Sequence, residues 1–175
     1  MILYFVRHAS AGERVSDPKK DAKRALDADG IEQCRLMGRL LAALDVQVDA
    51  IIASPLKRAA QTAVLVANEM GHEGKLQLDP ALRPEASIAQ FRELLNRYTK
   101  ADAIMVVGHN PNLSEFLGSL IGRGSRAGVN LKKGAVAQAE LKRNNAVLRW
   151  CVTPKVAAAA QATAAESPRP KTSRK

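Results

Sequence analysis

The sequence predicts an α/β fold, a three-layer α/β/α sandwich around a mainly parallel sheet. The first observation is a set of short apolar runs that are typical of buried strands: 2–6, 48–53 and 103–107. The second is that a segment with the apolar spacing of a helix follows each run before the next strand begins. Strands that alternate with helices pair in parallel and are covered by helices on both faces of the sheet.

The first half of the chain supplies two of these strand–helix units. After the first strand, residues 9–30 are polar and indicate a long loop, and a helix capped by Asp29 is expected from residue 31 onwards. After the second strand, Pro55 opens a helix and Gly71 ends it. The packing face of that helix is expected at three apolar positions: Ala60, Val64 and Ala67.

The second half adds the third unit and closes the sheet. A short strand is expected over 75–78, and Ser87 is predicted to cap the next helix. Asn110-Pro111 begins the helix after the third buried strand, and a basic, glycine-rich loop over 122–134 follows. Asn144-Asn145 is a hairpin signal between the last two strands, which adds an antiparallel pair near one edge. Those two strands are expected at 135–141 and 146–152.

Length and composition indicate one globular domain. With 175 residues, 46% hydrophobic and 25% charged, the chain is not disordered throughout. We predict a domain over 1–153 and a mostly disordered, Ala-rich basic tail over 154–175, because its alanine run has no large apolar face to dock. No apolar run is long enough to span a membrane or to form a signal peptide, which favours a cytoplasmic location. Cys34 and Cys151 are expected to be buried free thiols.

The formal net charge of +10 admits several partners. Nucleic acid, an acidic protein, a phosphorylated substrate and a disordered basic tail are all compatible with it. Residues 155–175 hold five basic residues against Glu166 and therefore account for +4 of the charge. Aromatic residues make up only 3% of the chain, too few for base-stacking platforms, so we expect nucleic-acid binding only through the tail.

Three predicted strand ends deliver basic side chains to one edge of the sheet. Arg7 and His8 follow the first strand, Arg58 follows the second, and His109 follows the third. Ligands of open α/β sheets bind at the carboxyl ends of the strands. Arginine donates paired hydrogen bonds to phosphate oxygens, a neutral imidazole is a competent nucleophile, and a second imidazole, protonated among the phosphate oxygens, adds a charged donor. The pattern predicts phosphoryl transfer through a histidine, with no P-loop and no cluster of metal ligands.

These residues lie in three motifs, which read VRHAS at 6–10, SPLKRAAQT at 54–62 and VGHNP at 107–111. In order and spacing they resemble the motifs of the histidine phosphatase superfamily, and the short chain is similar to its SixA-type phosphohistidine phosphatase branch. Residues 26–41 also fit that branch. The resemblance covers roughly residues 1–153 and implies the phosphoglycerate mutase-like form of the α/β fold.

The resemblance implies a role for each site residue. His8 is the nucleophile that becomes phosphorylated, and Arg7, Arg58 and His109 form the phosphate pocket. Water then hydrolyses the intermediate without a metal or an organic cofactor. Ala9 stands where the family usually has glycine, and we expect little effect because alanine is small.

The general acid is open at this point. Many relatives that hydrolyse esters carry an acid between the second arginine and the second histidine. Glu85 lies in that interval and Asp79 is its rival. A solvated charge just before a helix explains Glu85 equally well.

The leading hypothesis is a phosphatase that hydrolyses phosphohistidine on a protein, such as a phosphotransfer domain in signal transduction, and acts as a monomer. A P–N bond needs less help from an acid than an ester does, and a short chain leaves little sequence for a lid. A phosphomonoesterase acting on a small phosphorylated metabolite by the same mechanism is the alternative. A non-catalytic binder of phosphorylated or nucleic-acid ligands is the third.

Overall fold

The computed structural model describes residues 1–122, 127–143 and 145–166. The six strands of its sheet are β1 (Ile2–Arg7), β2 (Ala50–Ala53), β3 (Leu76–Leu78), β4 (Ala103–Gly108), β5 (Val136–Lys142) and β6 (Asn145–Val152). The helices are α1 (Pro18–Ala22), α2 (Ala28–Ala43), α3 (Lys57–Met70), α4 (Ile88–Asn96), α5 (Asn112–Ile121) and α6 (Pro154–Glu166). A single 3₁₀ turn over Pro80–Leu82 lies between β3 and α4.

The sheet has the order β3-β2-β4-β1-β5-β6. The first four strands in the chain run parallel to one another, and β5 and β6 run antiparallel at one side. The long β4 and β1 lie in the middle of the sheet and are almost entirely buried, as expected for strands covered on both faces. The predicted α/β class, the parallel centre and the antiparallel hairpin at the edge are confirmed.

Two hydrophobic cores lie on opposite faces of the sheet, because successive strand residues point to opposite sides. One core joins Phe5 and Ile104 to helices α4 and α5, where Phe91 and Phe116 stack with ring centroids 4.6 Å apart. The other core joins alternate strand residues to α2 and α3: Tyr4, Val6, Met37, Leu41, Ile51, Ala63 and Met105. The sheet is thus the middle layer of the three that the sequence predicts.

The predicted loop over 9–30 contains a short helix, and the residue that caps the following helix differs from the predicted one. Helix α1 begins at an Asp17-Pro18 pair, a polar start that carries no buried side chain and so leaves no apolar pattern in the sequence. Helix α2 begins at Ala28, and its cap is Asp27 rather than Asp29. The Asp27 carboxylate accepts from the Gly30 N–H at 2.7 Å, from the Ser10 hydroxyl at 2.8 Å and from the Gly12 N–H at 2.7 Å.

Helix α3 begins later than predicted, and its packing face is shifted. It begins at Lys57, two residues after Pro55, and it ends at Gly71, as predicted. Of the predicted packing positions, Ala67 is buried as expected, but Ala60 is half-buried and Val64 is 44% exposed. Ala59, Ala63 and Val66 are buried in their place. The shift has a physical cause: Arg58 turns inward and is buried, which places its helical neighbours Thr62 and Val66 against the sheet.

The tail prediction is wrong for residues 154–166, which form helix α6. The helix docks through one small side chain, since Ala157 is 2% exposed and lies in the same core as α2. A large apolar face is therefore not needed, because the neighbouring fold supplies the apolar surface. Residues 167–175 lie outside the described part of the chain, as do 123–126 of the basic loop and Asn144 of the hairpin signal.

Two smaller outcomes concern cysteines and membranes. Cys34 is a buried free thiol, as expected, and burial raises its pKa to about 11. Cys151 is a free thiol but is exposed, because β6 is an edge strand with one open face, so the prediction of burial is wrong there. Among the described helices, none combines the length and the apolar character that crossing a membrane requires.

Candidate active site

The carboxyl ends of β1, β2 and β4 meet at one edge of the sheet. Register pairs Arg7 with Gly108 and Ala53 with Val107, so the residues that follow these strands emerge side by side. They emerge into a cleft of about 580 Å³. The four side chains that the sequence singled out all line it: Arg7, His8, Arg58 and His109. The structure therefore brings together the whole predicted set.

His8 lies in the cleft with one ring nitrogen engaged and the other free to react. It is 7% exposed, and its Nδ1 lies 2.8 Å from the Ala9 carbonyl oxygen. Because a carbonyl only accepts, Nδ1 carries the hydrogen and Nε2 carries the lone pair. Burial lowers the pKa of His8 to about 4, helped by the charges of Arg58 and Arg7 and opposed by the Ala9 hydrogen bond. The ring is neutral at pH 7, as a nucleophile must be.

Two guanidinium groups flank the histidines, and each is held by one end only. Arg7 Nη1 donates to the Leu131 carbonyl at 2.8 Å, and Arg58 Nη1 donates to the Asp21 carbonyl at 2.9 Å. The Nε atoms of both arginines are buried without a partner among the described residues. Buried N–H groups are almost always satisfied, so these donors indicate a site for an anion. Burial lowers the pKa of both arginines, yet guanidinium groups stay charged.

His109 completes the pocket. Its ring centroid lies 5.0 Å from that of His8, and its Nε2 lies 2.9 Å from the Ser54 Oγ. Burial lowers its pKa to about 2, and the nearby His8 and Arg58 contribute to that shift. In the ligand-free cleft the ring is therefore neutral, because burial and its neighbours oppose a third cation there, and protonation of His109 among phosphate oxygens stays a prediction.

Sequence reasoning missed two charged residues of the cleft, Asp21 of α1 and Arg24 just after it. The Asp21 carboxylate lies 3.2 Å from Arg58 and 2.9 Å from Arg24. Arg24 also donates to the Ala11 carbonyl at 2.7 Å, which fastens this segment beside the pocket. Burial raises the pKa of Asp21, but hydrogen bonds from Arg24 and the Val15 N–H outweigh that effect and the net shift is downward. The only signal in the sequence is the Asp17-Pro18 helix start.

The two candidate acids are separated by the structure. Glu85 lines the cleft, with its side chain 68% exposed and its carboxylate 3.4 Å from Arg83. Asp79 lies outside the cleft lining: it caps the 3₁₀ turn by accepting from the Ala81 N–H at 2.8 Å, and it pairs with Arg97. No cluster of three or more potential metal-binding side chains occurs within 1–122, 127–143 and 145–166.

Comparison with known proteins identifies the family of the chain. A family model described as histidine phosphatase superfamily (branch 1) matches residues 3–88. An uncharacterized protein from a Picosynechococcus strain is 35% identical over 139 residues, which are 78% of this chain and 82% of that protein. The chain belongs to the histidine phosphatase superfamily. Membership of a superfamily named for its phosphatases supports phosphatase activity for the chain.

Named relatives of this superfamily member are more distant. Phosphohistidine phosphatase SixA of Escherichia coli is 25% identical over 122 residues, which are 69% of this chain and 74% of that protein. A solved SixA structure complexed with tungstate matches with a TM-score of 0.79 at 22% identity, covering 89% of this chain and 98% of the other.

Structures of proteins with other named activities match nearly as well. Alpha-ribazole phosphatase from Shigella flexneri has a TM-score of 0.71 at 20% identity, covering 88% of this chain and 97% of the other. Phosphoglycerate mutase from Bacillus anthracis has a TM-score of 0.72 at 13% identity, covering 91% and 96%. The predicted phosphoglycerate mutase-like fold is confirmed.

Proposed function

We propose that this histidine phosphatase superfamily member hydrolyses phosphohistidine carried on another protein, through a covalent phosphohistidine at His8. One observation carries the catalytic part of the proposal. The neutral His8 ring has its Nδ1 held by a backbone carbonyl, and it lines a cleft together with Arg7 and Arg58, whose buried Nε atoms have no partner among the described residues.

The chemistry follows from that arrangement. His8 Nε2 attacks the phosphorus, and the bond between phosphorus and the substrate imidazole breaks, with its electron pair staying on that nitrogen, which takes up a proton from water. A water molecule then attacks the phosphorus of phospho-His8, which releases phosphate and restores the neutral ring. Arg7 and Arg58 stabilise the charge on the equatorial oxygens throughout, without needing to reorganise.

A protein substrate is supported by cations at the mouth of the cleft. Arg14 and Lys133 line the cleft, are exposed, and form no ion pair with any described residue. A phosphoryl dianion is already matched by Arg7 and Arg58. The additional cations favour a phosphohistidine presented on an acidic protein surface, since charge complementarity speeds docking and fixes orientation.

The runner-up is a phosphomonoesterase acting on a small metabolite, and the position of Glu85 favours it. An alkoxide leaving group needs a proton from an acid, and Glu85 lies in the cleft lining. Against this, Glu85 is exposed and paired with Arg83 rather than held against the pocket floor.

The decisive assay follows release of radiolabelled phosphate from a phosphohistidine-bearing phosphotransfer domain. We expect His8→Ala to release phosphate at least about a thousandfold more slowly than wild type. The variant should also take up no acid-labile label on the enzyme. His72→Ala is the matched control, because His72 lies outside the cleft lining. Phosphate release retained in His8→Ala overturns the mechanism.

The same assay with a small phosphoester separates the alternatives. We expect Glu85→Gln to leave phosphohistidine hydrolysis within about twofold of wild type. A wild-type protein that prefers the ester, and loses ester turnover in Glu85→Gln, supports the metabolite phosphatase instead. Binding without turnover of either substrate supports the non-catalytic binder.

A further inference from the structure

We infer that Ser54 is a positioning residue that fixes His109 as its neutral Nδ1–H tautomer, so that the ring donates to the phosphoryl group without carrying a charge. The inference rests on the proposed function only in taking a phosphoryl group as the ligand of the cleft. Ser54 is the first residue of the motif at 54–62 and takes no part in the proposed phosphoryl transfer.

Ser54 occupies a fixed point between the strand and the helix that carry the site. It directly follows β2 and is fully buried, and its N–H donates to the Val107 carbonyl at 2.9 Å. Its Oγ lies 2.9 Å from His109 Nε2 and 3.3 Å from the Leu56 N–H, which donates to it. The hydroxyl is thus placed by backbone contacts on both sides.

Two proton arrangements are compatible with these distances, and they differ in how many buried polar groups are left without a partner. If His109 Nε2–H donates to Ser54, the Oγ accepts twice and its own hydrogen has no acceptor among the described residues. A buried hydroxyl hydrogen without an acceptor costs free energy. If the Ser54 hydroxyl donates to Nε2, the oxygen accepts from Leu56 and donates to His109, so only the ring Nδ1 lacks a partner among the described residues. The ring hydrogen is then on Nδ1.

The other ring nitrogen provides an independent observation. His109 Nδ1 is buried and has no hydrogen-bond partner within the described part of the chain. His109 also lines the cleft and lies beside the His8 ring. An Nδ1–H at this position is an unpaired hydrogen-bond donor among the described residues, and a phosphoryl oxygen bound in the cleft accepts from it. The lowered pKa of His109, caused first by burial, agrees with a neutral ring.

The neutral donor has a mechanistic consequence. Arg7 and Arg58 already supply two positive charges, which match a phosphoryl dianion. A neutral His109 adds a directional hydrogen bond without a third charge that would oppose folding of the empty pocket and hold the product phosphate too tightly. Ser54 is what makes this possible, because a free imidazole exchanges readily between its two tautomers.

Nitrogen-15 NMR of labelled histidine tests the inference on the intact chain. The protein has three histidines, and His109→Gln assigns the ring of interest by its absence. At pH 7 we expect wild-type His109 as the Nδ1–H tautomer and Ser54→Ala as a mixture with the Nε2–H tautomer. Ser54→Ala should bind tungstate, a phosphate-like dianion, about tenfold more weakly, and Ser54→Thr, which keeps the hydroxyl, should recover most of that affinity.

Ser119→Ala is the matched control, because the Ser119 hydroxyl donates to the Phe116 carbonyl of its own helix, at 2.8 Å, away from the cleft. We expect it to change neither the tautomer nor the affinity. A wild-type His109 seen as Nε2–H or as imidazolium overturns the inference, whether or not Ser54→Ala folds. An unchanged tautomer in folded Ser54→Ala overturns it as well. None of these readouts depends on which phosphorylated molecule is the substrate, so they stand apart from failure of the proposed function.

Discussion

At the residue scale, burial decides the chemical state of the two site histidines. Both rings lie among cationic side chains, His8 near Arg7, Arg58 and Arg24. Burial and these charges hold the pKa of His8 at about 4, well below its ordinary value of 6.5. The same surroundings that keep Nε2 available as a nucleophile therefore make protonation of the ring destabilise the folded state.

This shift predicts how stability depends on pH. The folded state binds fewer protons than the unfolded state between pH 6.5 and 4, so the free energy of unfolding falls as the pH is lowered through that window. For His8 the loss is roughly 3 kcal/mol. Urea unfolding at a series of pH values measures the loss. In His8→Gln, the slope of the free energy of unfolding against pH should decrease by the equivalent of about one bound proton. If His8→Gln keeps the wild-type slope, the loss of stability does not come from His8.

Sequence reasoning found the residues of the pocket but not their partners. Arg7, His8, Arg58 and His109 are recoverable because each follows a strand end in a recognisable motif. Asp21 is not, because it lies 37 residues before the arginine that it binds and in a helix without an apolar pattern. Hydrogen-bond geometry is equally invisible in a sequence, which is why the contact between Ser54 and His109 was not predicted.

At the element scale, the buried strands can be predicted from the sequence, whereas helices that bury few side chains cannot. Four-to-six-residue apolar runs bounded by polar residues mark β1, β2 and β4 because both of their faces are buried. Helices α1 and α6 bury one side chain or none among their described residues, so the helical period cannot be read from the sequence. Their placement depends on distant chain: Asp21 binds Arg58, and Ala157 packs with α2.

Helix α6 offers a matched pair of substitutions that tests whether it is part of the fold. Ala157 is buried, whereas Ala159 of the same helix is exposed. We expect Ala157→Asp to lower the free energy of unfolding by about 3 kcal/mol, because it places an unpaired charge in an apolar core. Ala159→Asp should cost less than about 0.5 kcal/mol. Thermal and urea unfolding give both values, and equal small effects in the two variants show that α6 is not docked in solution.

At the scale of the whole molecule, the net charge of +10 is distributed over distinct places. Arg7 and Arg58 belong to the pocket, and under the proposed function a phosphoryl group compensates their charge. The last nine residues, which lie outside the described ranges, carry four basic side chains and no acid. Arg14 and Lys133, which line the cleft, are part of the remaining excess, and under the proposed function they lie where a protein substrate would dock.

Charge reversal at two lysines distinguishes the effect of the charge beside the cleft from the effect of the net charge. Lys133 lies at the carboxyl edge of the sheet, and Lys100 is an exposed lysine at the opposite edge, just before β4. Lys133→Glu and Lys100→Glu change the net charge by the same amount. We expect Lys133→Glu to lower kcat/KM for a phosphohistidine-bearing protein by about tenfold and to flatten its dependence on salt. Lys100→Glu should change it less than about twofold, because a charge remote from the interface is screened at physiological ionic strength.

The physical reason lies in the encounter rather than in the chemistry. Opposite charges at the rim raise the rate of productive docking, and salt weakens this effect because the Debye length shrinks from about 10 Å at 0.1 M to about 3 Å at 1 M. A small phosphoester gains little from the rim, so its turnover should respond to Lys133→Glu less than turnover of the protein substrate. Steady-state rates over a salt series with both substrates measure the difference. Equal responses of the two substrates, or of the two lysine variants, contradict docking of an acidic protein at this rim.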